Sequence, residues 1–255
     1  MIVLALQFIW ALVKLSAGTA ILLVGARELP GARAHRLAWQ LAGITFVIGG
    51  ASAVAQLCVF APWAYFAGKG TPVYETFLRW NPALTQSRTF LMVGLGLLLC
   101  LLPWIARFER RLVAGGVVFL VLAMAAGGVL GWNEGSYVSA RFYSSTASAN
   151  VLELIMLLSA LLVALVFDAM DRYLWLAMLV YAVAISLNIL SFAALAWIRV
   201  EGAWTPSTKL VQVALVLSHA TMLWLALKRM RLARHGVEVG SLLEPAMQRP
   251  VSVLR

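Results

Sequence analysis

Lys14 and His219 stand out because each lies inside an apolar run long enough to cross a bilayer. An ammonium near mid-bilayer costs about 2.5–3.5 kcal/mol on insertion scales, so it turns toward the bundle interior, water or an opposite charge. Gln7 precedes Lys14 by seven residues, and Gln212 precedes His219 by the same interval, which places each pair on one helical face. A further stripe runs through Thr45, Gly49, Ser52 and Gln56; Asn150 and Glu153 open another, and Asn188 and Ser191 form one more. Hydrocarbon offers no hydrogen bonds, so these faces turn away from lipid and toward one another. The expected result is a polar cavity lined by Lys14, Glu153, Asn188, His219, Gln7, Gln56 and Gln212. By helical rise, Lys14 and His219 reach about 16 Å below the outer helix ends, with Glu153 above them.

Such a set is chemistry for binding. Lys14 either pairs internally, with Glu153 as the candidate partner, or holds an anionic ligand such as a carboxylate or lipid head group. His219 is either a hydrogen-bonded structural histidine or a single axial ligand to a haem or pigment. A bis-histidine haem needs two facing membrane histidines, and only His219 falls within a run, so that cofactor is disfavoured and any other is left unknown. The chain has no HExxH, no Cys/His cluster for a metal, no GxGxxG between strand and helix and no Walker loop, which gives no catalytic residue to name. A retinal Schiff base of the rhodopsin type would need a mid-membrane lysine in the seventh run and carboxylates in the third; neither is present.

The elements that must position these residues follow from composition. With 255 residues, 63% hydrophobic and 12% charged, the chain is far from the balance of soluble domains and reads as an all-α polytopic membrane protein. Seven helices are expected near 3–24, 37–61, 89–106, 112–132, 149–168, 173–198 and 208–228, forming one domain over 1–235 with a cytoplasmic tail over 236–255. The first run lacks a basic n-region and is too long for a signal h-region, so it reads as a retained helix. Arg27, Arg33, Arg36, Arg107, Arg110, Arg111, Arg172, Lys228, Arg229, Arg231 and Arg234 cluster in alternate connections. The net charge of +10 is therefore chiefly a topology signal, with N-terminus outside and C-terminus inside, and not a nucleic-acid footprint.

The outer connections are rich in aromatics. Within 62–88, Thr71-Pro72 starts a short amphipathic helix, Val73, Phe77 and Trp80 share its apolar face, and Asn81-Pro82 ends it, so it is expected to lie in the interface. With Tyr137, Phe142 and Tyr143 of the next outer loop it would cover the mouth of the bundle. Gly127 and Gly131 form a GxxxG spacing and, with Phe77 and Trp80, are candidate interface residues toward a neighbouring helix or another subunit. Asp168 and Asp171 are expected to be solvated at a helix boundary, and Cys58 and Cys100 lie too far apart in depth to pair.

Missing catalytic motifs, the small-residue fourth run and short inner loops lead to the expectation of a non-catalytic integral membrane subunit that packs against other membrane proteins or lipids in a larger assembly. The alternative is a seven-helix sensor or carrier with a small anionic or amphipathic ligand in an outward-facing cavity. Nucleic acid is not an expected partner, and the charge bias fits a bacterial inner membrane.

Overall fold

A computed structural model describes residues 2–26, 33–106, 109–133, 140–198 and 206–235; the 236–255 tail, Arg27, Arg107 and Tyr137 lie outside them. The described chain is all helical: α1 (Ile2–Gly25), α2 (Arg33–Val54), a π-helical stretch (Ala55–Phe60), α3 (Ala61–Ala67), α4 (Pro72–Ile105), α5 (Glu109–Asn133), α6 (Ala140–Phe167), α7 (Arg172–Ile198) and α8 (Pro206–Arg234). Seven of these segments are long and apolar enough to cross a membrane, which makes the chain an integral membrane protein.

Six spans close into a ring. α1 packs between α2 and α8, α8 continues to α7, α7 to α6 and α6 to α4, and α4 returns to α2. α5 lies outside, against α4 and α2. Only 17% of its most apolar window is buried, against 33–50% in the other spans, as expected of a helix with lipid on most sides.

Close approach at two seams makes the ring tight. A Cβ on Gly18 would fall 2.6 Å from the backbone of Phe46 and Val47, and one on Gly43 would fall 2.5 Å from Leu22, so α1 and α2 meet backbone to backbone. Gly127 and Gly131 do the same for α5 on α4, where a Cβ would meet the Gln86 and Pro82 carbonyls at 2.5 and 2.4 Å. The GxxxG spacing therefore serves a contact within the chain. Trp80 is spent at the same seam, its ring centroid 5.1 Å from that of Trp132.

Several helices run further than the sequence implies. The stretch from Pro72 begins as expected, with the Thr71 hydroxyl accepting from the Tyr74 amide, yet it passes through Asn81-Pro82 and becomes the third span. No separate short helix ends there. The Asn81 side chain, a stop signal in water, instead accepts a hydrogen bond from Gln56 Nε2, and a proline in a membrane helix is tolerated when neighbours cover the turn. The second span continues from Val54 through the π-helical stretch into α3. Pro62 cannot donate to the carbonyl of Cys58, and the wider π turn immediately before it absorbs that mismatch. Gly68, at φ +86°, then ends α3 in a backbone region that a Cβ disfavours. α6 begins at Ala140, so Phe142 and Tyr143 are helical and pack on Phe192 of α7 instead of forming a loop over the mouth. Trp63, Phe66 and Trp80 are exposed.

The end of the bundle where α1 stops and α7 starts is closed by polar groups. Asp171 is 1% exposed. Its Oδ2 accepts from Trp39 Nε1 at 2.7 Å and Arg229 Nε at 2.9 Å, while Oδ1 caps α7 through the amides of Tyr173 and Leu174, both at 3.0 Å. The expectation of a solvated Asp171 is thus corrected: α8 continues to Arg234 and brings Arg229 onto it. Asp168, at φ +49°, is half-buried, and its carbonyl meets His35 Nε2 at 2.8 Å. Cys58 and Cys100 are unpaired thiols.

Candidate functional site

Each ring element presents a polar residue to the bundle interior because lipid leaves its polar face nowhere else to go. The result is a cavity of about 200 Å³ near the end where α1, α6 and α8 begin. α1, the π-helical stretch with α3, α4, α6, α7 and α8 all contribute to its wall, and α5 contributes nothing. Gln7, Gln56, Gln212, Asn188, Lys14, Glu153 and His219 all line it.

Three of these lie at similar distances along their helices. Glu153 and His219 each follow the first residue of their helices, Ala140 and Pro206, by 13 positions, and Lys14 follows Ile2 by 12. α6 begins nine residues earlier than its apolar run, at 140 and not 149. All three are buried. Lys14 Nζ lies 5.1 Å from the centroid of the Trp10 ring, a cation–π distance. Gly49 faces it: a Cβ there would lie 3.5 Å from Nζ, in ordinary van der Waals contact.

The expected Lys14–Glu153 pair is not in contact. Among the described residues Lys14 makes no ion pair or hydrogen bond; Glu153 attracts it through space and Arg88 repels it. Glu153 is instead held by Tyr181, whose hydroxyl donates to Oε1 at 2.6 Å. His219 Nδ1 lies 2.7 Å from the Leu215 carbonyl, which can only accept, so the proton is on Nδ1 and Nε2 is an acceptor. Trp10, Phe46 and Tyr181 meet the imidazole edge-on at 5.5–6.1 Å and fix its plane. His219 Nε2 itself is buried with no partner.

Nearer the mouth, the amides are only partly satisfied. Gln56 donates to Asn81, but Gln56 Oε1 has no partner, nor do Gln212 Oε1, Asn150 Nδ2 and Trp10 Nε1. Asn150 uses its oxygen to accept from Thr89 at 3.3 Å. Unsatisfied buried groups of this kind are costly and uncommon, and here they line one hollow. Together they offer an ammonium, amide and indole donors, and amide and imidazole acceptors. Among the described residues no cluster of three or more His, Cys, Asp or Glu could hold a metal ion.

The residues missed in the sequence are mainly on α4 and α7. Asn81, Thr85, Arg88 and Thr89 all line the cavity, as do Tyr181 and Trp10. The signal was present as Phe77, Asn81, Thr85 and Arg88, a run spaced by four, four and three. It is hidden because Arg88 and Asn81-Pro82 look like loop residues to a hydropathy window. Of the candidate interface residues, Phe77 lines the cavity, whereas Gly127, Gly131 and Trp80 join α4 to α5.

The fold and this cavity define a seven-span integral membrane protein with a polar hollow inside its helix ring. Comparison with known protein families, curated proteins and solved structures finds no match to the chain.

Proposed function

We propose that the protein is a membrane sensor or carrier that binds a small ligand with an anionic group in this cavity. The observation that supports it most is Lys14: a buried ammonium at span depth, without a direct counter-ion among the described residues, in a hollow edged by unpartnered polar atoms. A lysine present only for structure is neutralised by its own protein, because an unpaired buried charge costs several kcal/mol. Here the direct neutralising contact is left for a ligand, and the ionisable liners Lys14, Arg88 and Glu153 carry one more formal positive than negative charge. Arg33, Arg36, Arg111, Arg172, Arg231 and Arg234 lie at the closed end, a bias that supports a cytoplasmic closed end and an outward-facing cavity under the positive-inside rule.

Thermal unfolding of the purified protein with butyrate, inorganic phosphate or glycerol 3-phosphate tests this reading. At least one is expected to raise the melting temperature of the wild type and leave folded Lys14→Met unmoved. No stabilisation by any of these anions, or equal stabilisation of both proteins, overturns the reading.

A second reading, a non-catalytic subunit of a larger membrane assembly, draws on α5. That helix lies outside the ring, adds nothing to the cavity and offers Val118, Val121, Leu122 and Val129 on its exposed face. Co-purification of a stoichiometric membrane partner under mild extraction, lost when these four are replaced by bulkier apolar residues, would favour it.

A further inference from the structure

A second hollow, about 570 Å³, lies on the outside of the α3–α4 hairpin. Its wall includes Phe60, Trp63, Val73, Phe77, Trp80 and Leu84, and among the described residues Thr76 is the one polar side chain without an aromatic ring lining it. Phe60, Trp63 and Trp80 are exposed at 49, 61 and 52%, so the groove faces the surroundings of the bundle. Phe77 lines both this groove and the polar cavity. Along the second span, Leu57 and Ala61 line the cavity and Phe60 and Trp63 line the groove. Leu57 and Phe60 belong to the π-wound stretch, a local irregularity that often marks functional positions.

We propose that the ligand is a single-chain anionic amphiphile, with its head in the polar cavity and its alkyl chain passing Phe77 into the groove. The inference rests on the ligand-binding reading above and adds the ligand class and its route. Charge complementarity selects the head, since Lys14 lacks a direct counter-ion. Adjacency selects the chain: Phe77 lines both hollows, and Leu57 and Ala61 of the cavity neighbour Phe60 and Trp63 of the groove along the second span. An amphiphile arriving from the bilayer keeps its chain in apolar surroundings throughout, so only the head exchanges one polar environment for another. A small hydrophilic anion would leave the aromatic groove without a role.

The test uses the full chain in phosphatidylcholine nanodiscs, with 9,10-dibromostearate as the amphiphile and butyrate as a head without a chain. Bromine quenches a nearby indole, and the groove's contribution is the part of the quenching that disappears in Trp63→Phe/Trp80→Phe. That part is expected to saturate, to be competed by stearate, and to need at least tenfold more dibromostearate in Lys14→Met. Val73→Phe, which fills the groove without adding an indole, is expected to weaken dibromostearate far more than it weakens stabilisation by butyrate. Equal quenching in wild type and folded Lys14→Met would show ordinary bilayer chains or another apolar occupant in the groove and overturn the inference. Stabilisation by butyrate without groove quenching would overturn it too, while leaving the ligand-binding reading standing. If neither probe acts, this inference falls, and the ligand-binding reading falls with it when phosphate and glycerol 3-phosphate also fail to stabilise the protein.

Discussion

The two ends of the helix ring bury similar groups and treat them in opposite ways. At the closed end, the Asp171 carboxylate takes hydrogen bonds from an indole, a guanidinium and two amides, and only Nη1 of Arg229 is left over. At the open end, the Glu153 carboxylate takes one hydrogen bond, Lys14 takes none among the described residues, and His219 Nε2 has no partner. A buried charge is tolerated when it is paired and hydrogen-bonded, so the first cluster is a structural lock. The second has the same cost without the same compensation. That difference separates a site that holds the protein together from one with bonding capacity to spare.

The largest effect is expected from breaking the lock. Asp171→Ala strands Arg229 in the interior and should cost about 3–5 kcal/mol, read as loss of folded protein or a steep drop in melting temperature. Asp171→Ala/Arg229→Met should recover much of it, since no charge is then left unpaired. Next comes the α1–α2 seam that supports both ends. Gly43→Val drives a side chain into Leu22 and should cost about 1–3 kcal/mol, with the loss visible in thermal unfolding. Tyr181→Phe removes the one hydrogen bond to Glu153 and should cost about 1.5–3 kcal/mol if the carboxylate is ionised, less than the loss at Asp171. Lys14→Met is the sharpest contrast: its melting temperature should stay level or rise, because a charge without a direct partner is removed, while stabilisation by anions is lost. A large fall in stability from Lys14→Met, matching Asp171→Ala, would erase the distinction between the two ends.

Much of the open end was legible before any tertiary contact was known. Gln7 with Lys14, and Gln212 with His219, declare their faces by spacing alone, and Gln56, Glu153 and Asn188 fall on similar stripes. All seven line the same hollow. The closed end was not legible. Asp171, Trp39 and Arg229 lie on three different segments, each beside a helix end, where a charged residue is usually solvated. Only the packing of α2 and α8 against the start of α7 removes the water. The length of α4 was hidden for a related reason: Asn81-Pro82 is a stop signal in water, but in this bundle Gln56 of another helix answers the asparagine.

Sequence alone determined that this protein lives in lipid, how many times it can cross, and which side chains turn inward. Those properties come from the mismatch between polar groups and hydrocarbon, which is felt residue by residue and repeats with the helical period. Tertiary structure decided which of the inward groups are satisfied. Hydrogen bonds such as Trp39 to Asp171, 132 residues apart, depend on distances of a few tenths of an ångström between helices remote in the chain. It is that placement which locks Asp171 and leaves Lys14 open.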